Sequence, residues 1–375
     1  MAKNIPMSDK ATLAAMLKET EAGQSTTTWA TGSDGVAFKL TIAALPKKAT
    51  RNNVPFHPHS VTSTVRTAAG TKGPVEVILA VEDSSVAAPL AVAVAKAFPL
   101  VSFKSSKGAE NEEKAQPKEG RLVSTRFVLA ASGEEVTEEG TLQAARVAAE
   151  ATRMACRLVD TPPEMFNVPE FVAEAKAVAG KHASVKFEVI EGEALRDRGY
   201  GGLWGVGKAA TRMPALVVLT HEPKDAEGRS VCMVGKGIVF DTGGLSLKVG
   251  GSMVGMKSDM GGAAAMLSAF DAAVTLGHKG KLQVVLCLAE NAIGPLALRN
   301  DDVVTCFSGL TVEINNTDAE GRVVLADGVA HAVQELKASM VRRIGTHGFQ
   351  QPRQNPSMTV NVPPEIASDR LPRRL

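Results

Sequence analysis

The chain has 375 residues, enough for two domains of ordinary size, and its 44% hydrophobic and 22% charged residues are typical of a soluble globular protein. A net charge of +2 gives no basis for binding nucleic acid or an anionic membrane, and aromatic residues, at 4%, are too few for base-stacking platforms. No window approaches the roughly 18 apolar residues of a membrane span.

The cysteines and the first residues of the chain both favour a cytoplasmic protein. The opening run MAKNIPMSDKATLAAMLKE lacks the basic-then-apolar pattern of a secretory signal. The cysteines are far apart, form no CxxC pair and lie mostly in apolar runs, which predicts free thiols in a reducing compartment. They are Cys156, Cys232, Cys287 and Cys306.

Residues 1–140 predict an independent α/β domain in which we find no catalytic constellation. Small and apolar residues around most of 85–97 predict a helix packed on a sheet. Residues 105–121 are charged and have no apolar anchor, so we expect an exposed loop. The β-like runs cover residues 36–42, 75–80 and 123–130.

Residues 141–340 predict a three-layer α/β domain, because strands separated by helices indicate a mostly parallel mixed sheet with helices on both faces. A helical pattern over 141–159 is expected to link the two domains. The glycine-dense run GYGGLWGVG at 199–207 predicts a flexible turn. Further helices are predicted over 171–180, 260–276 and 322–337, and strands over 185–190, 215–220, 282–288 and 310–314.

Residues 341–375 depart from this order. They contain five prolines and six arginines against two acids, and they show no periodicity. This composition predicts a basic, proline-rich and disordered tail.

The most informative stretch is VCMVGKGIVFDTGGLSLK, which begins at Val231. Its apolar start predicts a buried strand, which is expected to break at Gly235 and Gly237 into an irregular loop before the helix at 260–276. Open α/β sheets place their sites at such a strand end. The stretch and the residues that follow it contribute Lys236, Asp241, Lys248 and Asp259.

A second stretch, NNTDAEGR at residues 315–322, adds two carboxylates. Asp318 and Glu320 are two apart, so in an extended segment both side chains leave by the same side of the chain. Gathering them with Asp241 and Asp259 would be unfavourable without cations, because like charges repel and burial penalises each one. A pair of divalent ions about 3.5 to 4 Å apart would resolve this and activate a water.

Three basic residues complete the set. Lys236 could be an ion-pair partner, or a ligand if its amine is deprotonated beside a dication. Lys248 and Arg322 suit the stabilisation of an oxyanion or the binding of a small anion. From spacing alone, a metal site and a plain salt-bridge cluster remain equally open.

Two other functions are excluded because the sequence lacks residues that they require. A dinucleotide site would use Gly235 and Gly237, but the third glycine of GxGxxG would fall at Phe240. An aspartic protease would need two copies of the Asp-Thr-Gly pattern that begins at Asp241, and the sequence has one.

These residues resemble the two-metal site of the leucine aminopeptidase family, also called cytosol aminopeptidases. The resemblance rests on the offsets of 5, 12 and 23 residues from Lys236 to Asp241, Lys248 and Asp259, and on NTDAEGR. The motifs CRLVDTP, GYGGLWGVGKAA, VGKGIVFDTGGLSLK and CLAEN are most similar to the branch named probable aminopeptidase-like. The resemblance covers residues 141–335.

The resemblance implies a metalloexopeptidase that releases N-terminal amino acids, leucine-type, from peptides. Lys248 would polarise the peptide carbonyl, Arg322 would hold a bicarbonate as general base, and Met256 would line the pocket for the first side chain. The ions would be manganese or zinc, with magnesium or cobalt as further options. One ion would be bound by Lys236, Asp241, Asp259 and Glu320, and the other by Asp241, Asp318 and Glu320.

The resemblance also implies a homohexamer, and it implies a longer catalytic domain than residues 141–340 provide. In the family, well over a hundred residues follow the helix after NTDAEGR and finish the sheet and the substrate pocket. We therefore expect a truncated catalytic domain. The alternative function is a catalytically silent homologue that binds metal or partner subunits.

Overall fold

The structure is a computed structural model that describes residues 5, 9–49, 54–70, 73–101, 121–226 and 228–345 together with the backbone of 357–361. The chain divides into two compact units, Met1–Arg153 and Met154–Leu375. The division falls inside the long helix Glu139–Asp160, near whose start the sequence places the domain boundary. In the described part of the chain, no helix combines the length and the apolar character needed to cross a membrane.

The first unit contains two small sheets, three complete helices and the first part of a fourth among its described residues. Strands β1 and β2 pair antiparallel, and β3 and β4 pair parallel. The three predicted β-like runs are strands, whereas β1, with the sequence STTTWAT, was missed because its threonines show no apolar alternation. The predicted loop at 105–121 lies outside the described residues except for Arg121. The elements are α1 (Lys10–Glu19), β1 (Ser25–Thr31), β2 (Ala37–Ala43), α2 (Pro58–Ala69), β3 (Val75–Val81), α3 (Ala87–Ala95) and β4 (Val123–Leu129).

The second unit is built around one mixed sheet. Its helices are α4 (Glu139–Asp160), which begins in the first unit, α5 (Val168–Gly180), α6 (Glu193–Asp197), α7 (Gly201–Gly207), α8 (Gly261–Thr275) and α9 (Glu320–Gln334). Its strands are β5 (Val185–Glu191), β6 (Ala215–His221), β7 (Val231–Asp241), β8 (Leu282–Asn291), β9 (Val303–Thr305), β10 (Thr311–Glu313), β11 (Met340–Ile344) and β12 (Ser357–Asn361).

The strand order of the sheet is β12-β11-β7-β8-β6-β5. Only β11–β7 and β7–β8 are parallel, so the sheet is mixed as expected but less parallel than the pattern predicted. One apolar cluster joins the sheet to α5 and α8, and another joins its opposite face to α7 and α9. The three-layer α/β fold is therefore confirmed, and the parallel β7 and β8 end at the same edge.

The predicted flexible turn at 199–207 is wrong, because Gly201–Gly207 forms the buried helix α7. The glycines of α7 lie where the helix contacts neighbouring segments too closely for a larger side chain. A Cβ on Gly201 would lie 2.2 Å from the carbonyl oxygen of Thr305, and one on Gly207 would lie 2.5 Å from Pro214. Here glycine permits close packing rather than flexibility.

The predicted strand break at Gly235 and Gly237 is also wrong. Strand β7 continues through both glycines to Asp241, and so Lys236 lies within the strand. A Cβ on Gly235 would lie 2.6 Å from the Cα of Ala263 on α8, and one on Gly237 would lie 2.5 Å from Leu288 on β8. The two glycines let α8 and β8 approach the strand, and they do not end it.

The predicted disordered tail contains two strands. Residues of β11 pair with β7, and the backbone of β12 pairs antiparallel with β11. The sequence pattern missed β11 because Arg342 and Arg343 interrupt its apolar residues, although Val341 is fully buried. The remainder of the predicted tail lies outside the described residues, apart from Gly345.

Candidate metal centre

The candidate site lies where β7 and β8 end and α9 begins. Lys236 and Asp241 belong to β7, and a register shift between Ile238 and Asp241 interrupts the pairing of β7 with β8 just before Asp241. Such an irregularity re-aims a side chain at a strand end. Asp259 lies in a short 3-10 turn, Met256–Met260, directly before α8, and Glu320 is the first residue of α9.

Three buried carboxylates converge at this point. Asp241, Asp259 and Glu320 each offer one oxygen, and these oxygens all lie within 4.8 Å of one another. Their exposed fractions are 0%, 4% and 2%. Because carboxylates repel and lose hydration on burial, such a group needs compensating positive charge.

Lys236 supplies part of that charge from inside the cluster. Its side chain is 1% exposed, and its Nζ lies 2.7 Å from Asp259 Oδ2 and 2.8 Å from Glu320 Oε1. Burial acts to lower the pKa of the lysine, but the charges of Glu320 and Asp259 outweigh it and the pKa is raised. In this state the amine is therefore an ammonium group, and coordination to a dication would require loss of its proton.

Lys248 forms the second ion-paired group. Its Nζ lies 2.9 Å from Asp241 Oδ2 and forms a shorter ion pair with Asp318 Oδ1. Asp318 is the outermost carboxylate, with 31% of its side chain exposed. Burial opposes protonation of Lys248, but its bonds to Asp318 and Asp241 raise its pKa. The lysine thus stays positively charged at neutral pH.

The carboxylates remain short of positive charge even with both lysines present. Burial raises the pKa of Asp259 to about 7, with Lys236 opposing this shift and Glu320 adding to it. Burial also raises the pKa of Glu320; Lys236 opposes that shift and Asp241 adds to it. Four carboxylates face two ammonium groups, so a further cation would be electrostatically favourable.

The buried oxygen and nitrogen atoms of the cluster could serve as ligands of a divalent ion. Asp241 Oδ2, Glu320 Oε1 and Lys236 Nζ are fully buried, and each lies 2.7 to 2.9 Å from an opposite charge without a well-aligned hydrogen bond within the described structure. Buried polar atoms of this kind usually have a hydrogen-bond partner. Carboxylate oxygens with one amine are suitable ligands for Mn²⁺, Zn²⁺, Mg²⁺ or Co²⁺.

The structure thus gathers six of the eight candidate residues named from the sequence. The other two lie on adjoining elements. Arg322 is exposed on α9, two residues after Glu320, and Met256 is half-buried at the start of the turn that carries Asp259. Neither takes part in the ion pairs of the cluster. The six are Lys236, Asp241, Lys248, Asp259, Asp318 and Glu320.

Two further polar residues beside the cluster belong to the motifs CLAEN and NNTDAEGR, but no sequence pattern assigned them a role. Asn291, at the end of β8, donates through Nδ2 to Asp241 Oδ1 at 2.8 Å and to the carbonyl oxygen of Thr317 at 3.1 Å. The Thr317 hydroxyl accepts from the amide of Ser246 and donates to the carbonyl of Gly243, both at 2.7 Å. The available signal was a polar residue ending a strand parallel to β7.

Comparison with known protein families identifies both parts of the chain. Residues 153–351 match the model of the cytosol aminopeptidase family, catalytic domain, and residues 2–107 match the M17 aminopeptidase N-terminal domain 2. A mouse protein named probable aminopeptidase NPEPL1 is 44% identical over 306 residues, which are 82% of this chain and 56% of the mouse protein. Leucine aminopeptidase 1 of Caenorhabditis elegans is 47% identical over 198 residues, 52% of this chain and 40% of the worm protein.

Solved structures of similar proteins have the same fold. Leucyl aminopeptidase from Trypanosoma brucei in complex with bestatin superposes with a TM-score of 0.78 at 37% identity, over 89% of this chain and 64% of that one. The apo structure of leucyl aminopeptidase from Trypanosoma cruzi gives a TM-score of 0.76 at 39% identity, over the same shares of the two chains. The present chain spans a little over half the length of the mouse relative.

Proposed function

The chain belongs to the cytosol aminopeptidase family, and on that basis we propose that it is a metal-dependent exopeptidase that releases N-terminal amino acids, leucine-type, from peptides. The observation that carries this proposal is the buried cluster of three carboxylates around Lys236. A purely structural salt bridge would not require so many buried charges, and its buried atoms would form well-aligned hydrogen bonds.

Two divalent ions would be held by overlapping sets of ligands. Lys236, Asp241, Asp259 and Glu320 would hold one, and Asp241, Asp318 and Glu320 would hold the other. Asp318 is the most exposed of the four carboxylates, so the second set opens toward solvent. When bound, such ions supply Lewis-acid polarisation of the peptide carbonyl and a water activated as nucleophile.

Lys248 would stabilise the negative charge that develops on the carbonyl oxygen of the substrate. Its raised pKa keeps it protonated, which suits a fixed positive charge and excludes a role as general base. Its ion pairs with Asp241 and Asp318 orient the ammonium group beside both sets of ligands. A preoriented charge in a largely buried position stabilises a transition state more than a solvated one.

Arg322 and Met256 would act at the edge of the site. Arg322 is exposed two residues after Glu320, so its guanidinium is available to bind a small anion such as bicarbonate, which would act as general base. Met256 begins the turn that carries Asp259 and is half-buried, which suits a side chain that lines the pocket for the first substrate residue.

The metals, partners and location follow from the same proposal. We propose manganese or zinc as the ions, with magnesium or cobalt as alternatives, and peptides with a free N-terminus as substrates. The relative from Trypanosoma brucei is described in complex with bestatin, and we expect that inhibitor to bind here. We also propose a homohexamer in the cytoplasm, a location that suits the buried thiols of Cys232, Cys287 and Cys306.

The test is release of leucine from a chromogenic leucine anilide by the purified full-length chain, with Mn²⁺ or Zn²⁺ added. A chelator-treated sample serves as control, and metal content is measured on the same preparation. We expect turnover that is lost with the chelator and restored by metal. A folded, metal-loaded protein without turnover would contradict the proposal and favour a silent homologue that binds metal or partner subunits.

A further inference from the structure

We propose that Asn291 is a positioning residue of the metal centre, an inference that rests on the proposed function. Its side-chain amide donates to one oxygen of Asp241 and lies 3.5 Å from one oxygen of Glu320, and the other oxygen of each carboxylate faces a lysine in the cluster.

The two oxygens of Asp241 have different surroundings. Oδ1 accepts from the backbone amide of Gly243 at 2.9 Å and from Asn291 Nδ2 at 2.8 Å. Oδ2 lies 2.9 Å from the ammonium group of Lys248 and accepts no well-aligned hydrogen bond within the described structure. One oxygen is therefore fixed by neutral donors, and the other faces a cation.

Glu320 shows the same division. Its Oε2 faces Asn291 Nδ2 in a long contact of 3.5 Å, and its Oε1 lies 2.8 Å from Lys236 Nζ without a well-aligned hydrogen bond. Asp241 and Glu320 are the two carboxylates shared between both proposed sets of ligands. A single amide thus contacts both of the residues that would bridge the ions.

The backbone at the end of β8 explains how Asn291 reaches both carboxylates. Asn291 is paired with Asp241 across the parallel strands, and its carbonyl accepts from the backbone amide of Thr242 at 3.1 Å and from the Thr242 hydroxyl at 2.7 Å. Its side chain also donates to the carbonyl of Thr317, three residues before Glu320. The residue therefore joins the segments that carry the two carboxylates.

An amide is the side chain that this position requires. The surrounding acceptors are two carboxylates and a carbonyl, so the nitrogen of the amide must face them. An aspartate would add another negative charge, and a leucine of similar size would remove the donor. Partners that orient metal ligands typically contribute a factor of about 10 to 100 to metal affinity.

The experiment is a Mn²⁺ titration of the chelator-stripped full-length protein, followed by the EPR signal of free Mn²⁺. Wild type is compared with Asn291→Leu and with the control Asn300→Leu. Asn300 is exposed and accepts from the hydroxyl of Ser246, on the loop that carries Lys248, but it contacts none of the carboxylates. We expect affinity about 10 to 100 times weaker in Asn291→Leu and unchanged in Asn300→Leu.

The EPR spectrum of bound Mn²⁺ gives a readout that loss of stability alone would not change. We expect an altered line shape in Asn291→Leu, and the urea midpoint of the metal-free variant reports its stability separately. If Asn291→Leu does not fold, Asn291→Ser replaces it, because serine is too short to contact both carboxylates. Equal affinity and equal spectra in wild type and the folded variant would overturn the role of Asn291 and leave the metal-dependent function standing. Absence of Mn²⁺ binding by wild type would overturn both.

Discussion

Helix α9 carries two buried carboxylates in contrasting surroundings, about two turns apart. Glu320, at its start, faces lysine and other carboxylates, and its Oε1 accepts no well-aligned hydrogen bond within the described structure. Asp327 is 0% exposed and faces neutral donors: Oδ2 accepts from the amide of Leu203 and Oδ1 from the amide of Phe307, both at 2.8 Å.

The surroundings of Asp327 are those of a structural residue. Its two amide partners belong to α7 and to the segment after β9, so the carboxylate joins three parts of the fold. One turn further along α9, His331 Nδ1 lies 2.7 Å from the hydroxyl of Tyr200. Burial raises the pKa of Asp327, and the backbone hydrogen bonds oppose this shift.

The comparison separates two ways of burying an acid. At Asp327 the chain itself completes the hydrogen bonds, so nothing further is needed. At Glu320 the chain supplies opposite charge without completing the bonds, so a ligand can still contribute. Burial alone therefore does not distinguish a structural acid from one that binds a ligand; the hydrogen-bond partners do.

The largest expected effect on stability follows from Asp327→Asn. The amide group has only one acceptor oxygen, so one of the two backbone amides would face an NH₂ group and lose its partner. We expect the free energy of unfolding to fall by about 2 to 4 kcal/mol, measured by urea denaturation of the metal-free protein. Asp197→Ala, which changes an exposed acid, should leave the midpoint unchanged. An Asp327→Asn variant as stable as wild type would contradict the structural role of Asp327.

The matched change at the other carboxylate is Glu320→Gln. It removes one ligand charge that both proposed ions would share, so we expect loss of metal retention and of peptidase activity. Stability of the metal-free protein should fall less than in Asp327→Asn, because repulsion from Asp241 and Asp259 is relieved. Metal content after gel filtration and urea midpoints measure the two effects. Asp318→Ala should also abolish metal retention and activity, and unchanged metal content in both variants would refute the assignment.

Lys248→Ala separates metal binding from catalysis within the charged cluster, because it removes a positive charge without removing a proposed metal ligand. We expect metal retention close to that of wild type and turnover lower by a factor of about 100 to 1,000, as for loss of one oxyanion donor. The control is Lys257→Ala, which removes a nearby lysine whose Nζ donates to the carbonyl of Asp160. Equal turnover in wild type and Lys248→Ala would eliminate the proposed role of Lys248.

The smallest effect is a pH dependence of stability in the metal-free protein. The pKa of Asp259 rises on folding from the ordinary 3.8 to about 7, so the folded state binds this proton more tightly than the unfolded state. The free energy of unfolding should therefore decrease as pH rises from about 4 to about 7 and change little above that. Urea midpoints at pH 5 and pH 8 measure this slope, which should be reduced in Asp259→Asn. An equal pH dependence of stability in wild type and Asp259→Asn would contradict the raised pKa of Asp259.

Much of the fold and of the site could be predicted from local patterns. The apolar runs at 231–234 and 282–288 marked the two central parallel strands, and α8 and α9 followed from helical periodicity. The spacing from Lys236 to Asp241, together with NTDAEGR, indicated the residues that the structure gathers into one cluster. These features were accessible because each depends on a short segment of chain and its own burial.

Tertiary structure decided the rest, because the role of a small or polar residue depends on what lies opposite it. Gly235 looked like a strand break until α8 was placed 2.6 Å from where its Cβ would be. Asn291 ended the CLAEN motif without an assigned role, and only the fold shows that its amide donates to Asp241. The residues alone show which charges the chain offers for a metal. Which of their oxygens accept hydrogen bonds from neutral groups, and which face cations, depends on the packing of distant segments.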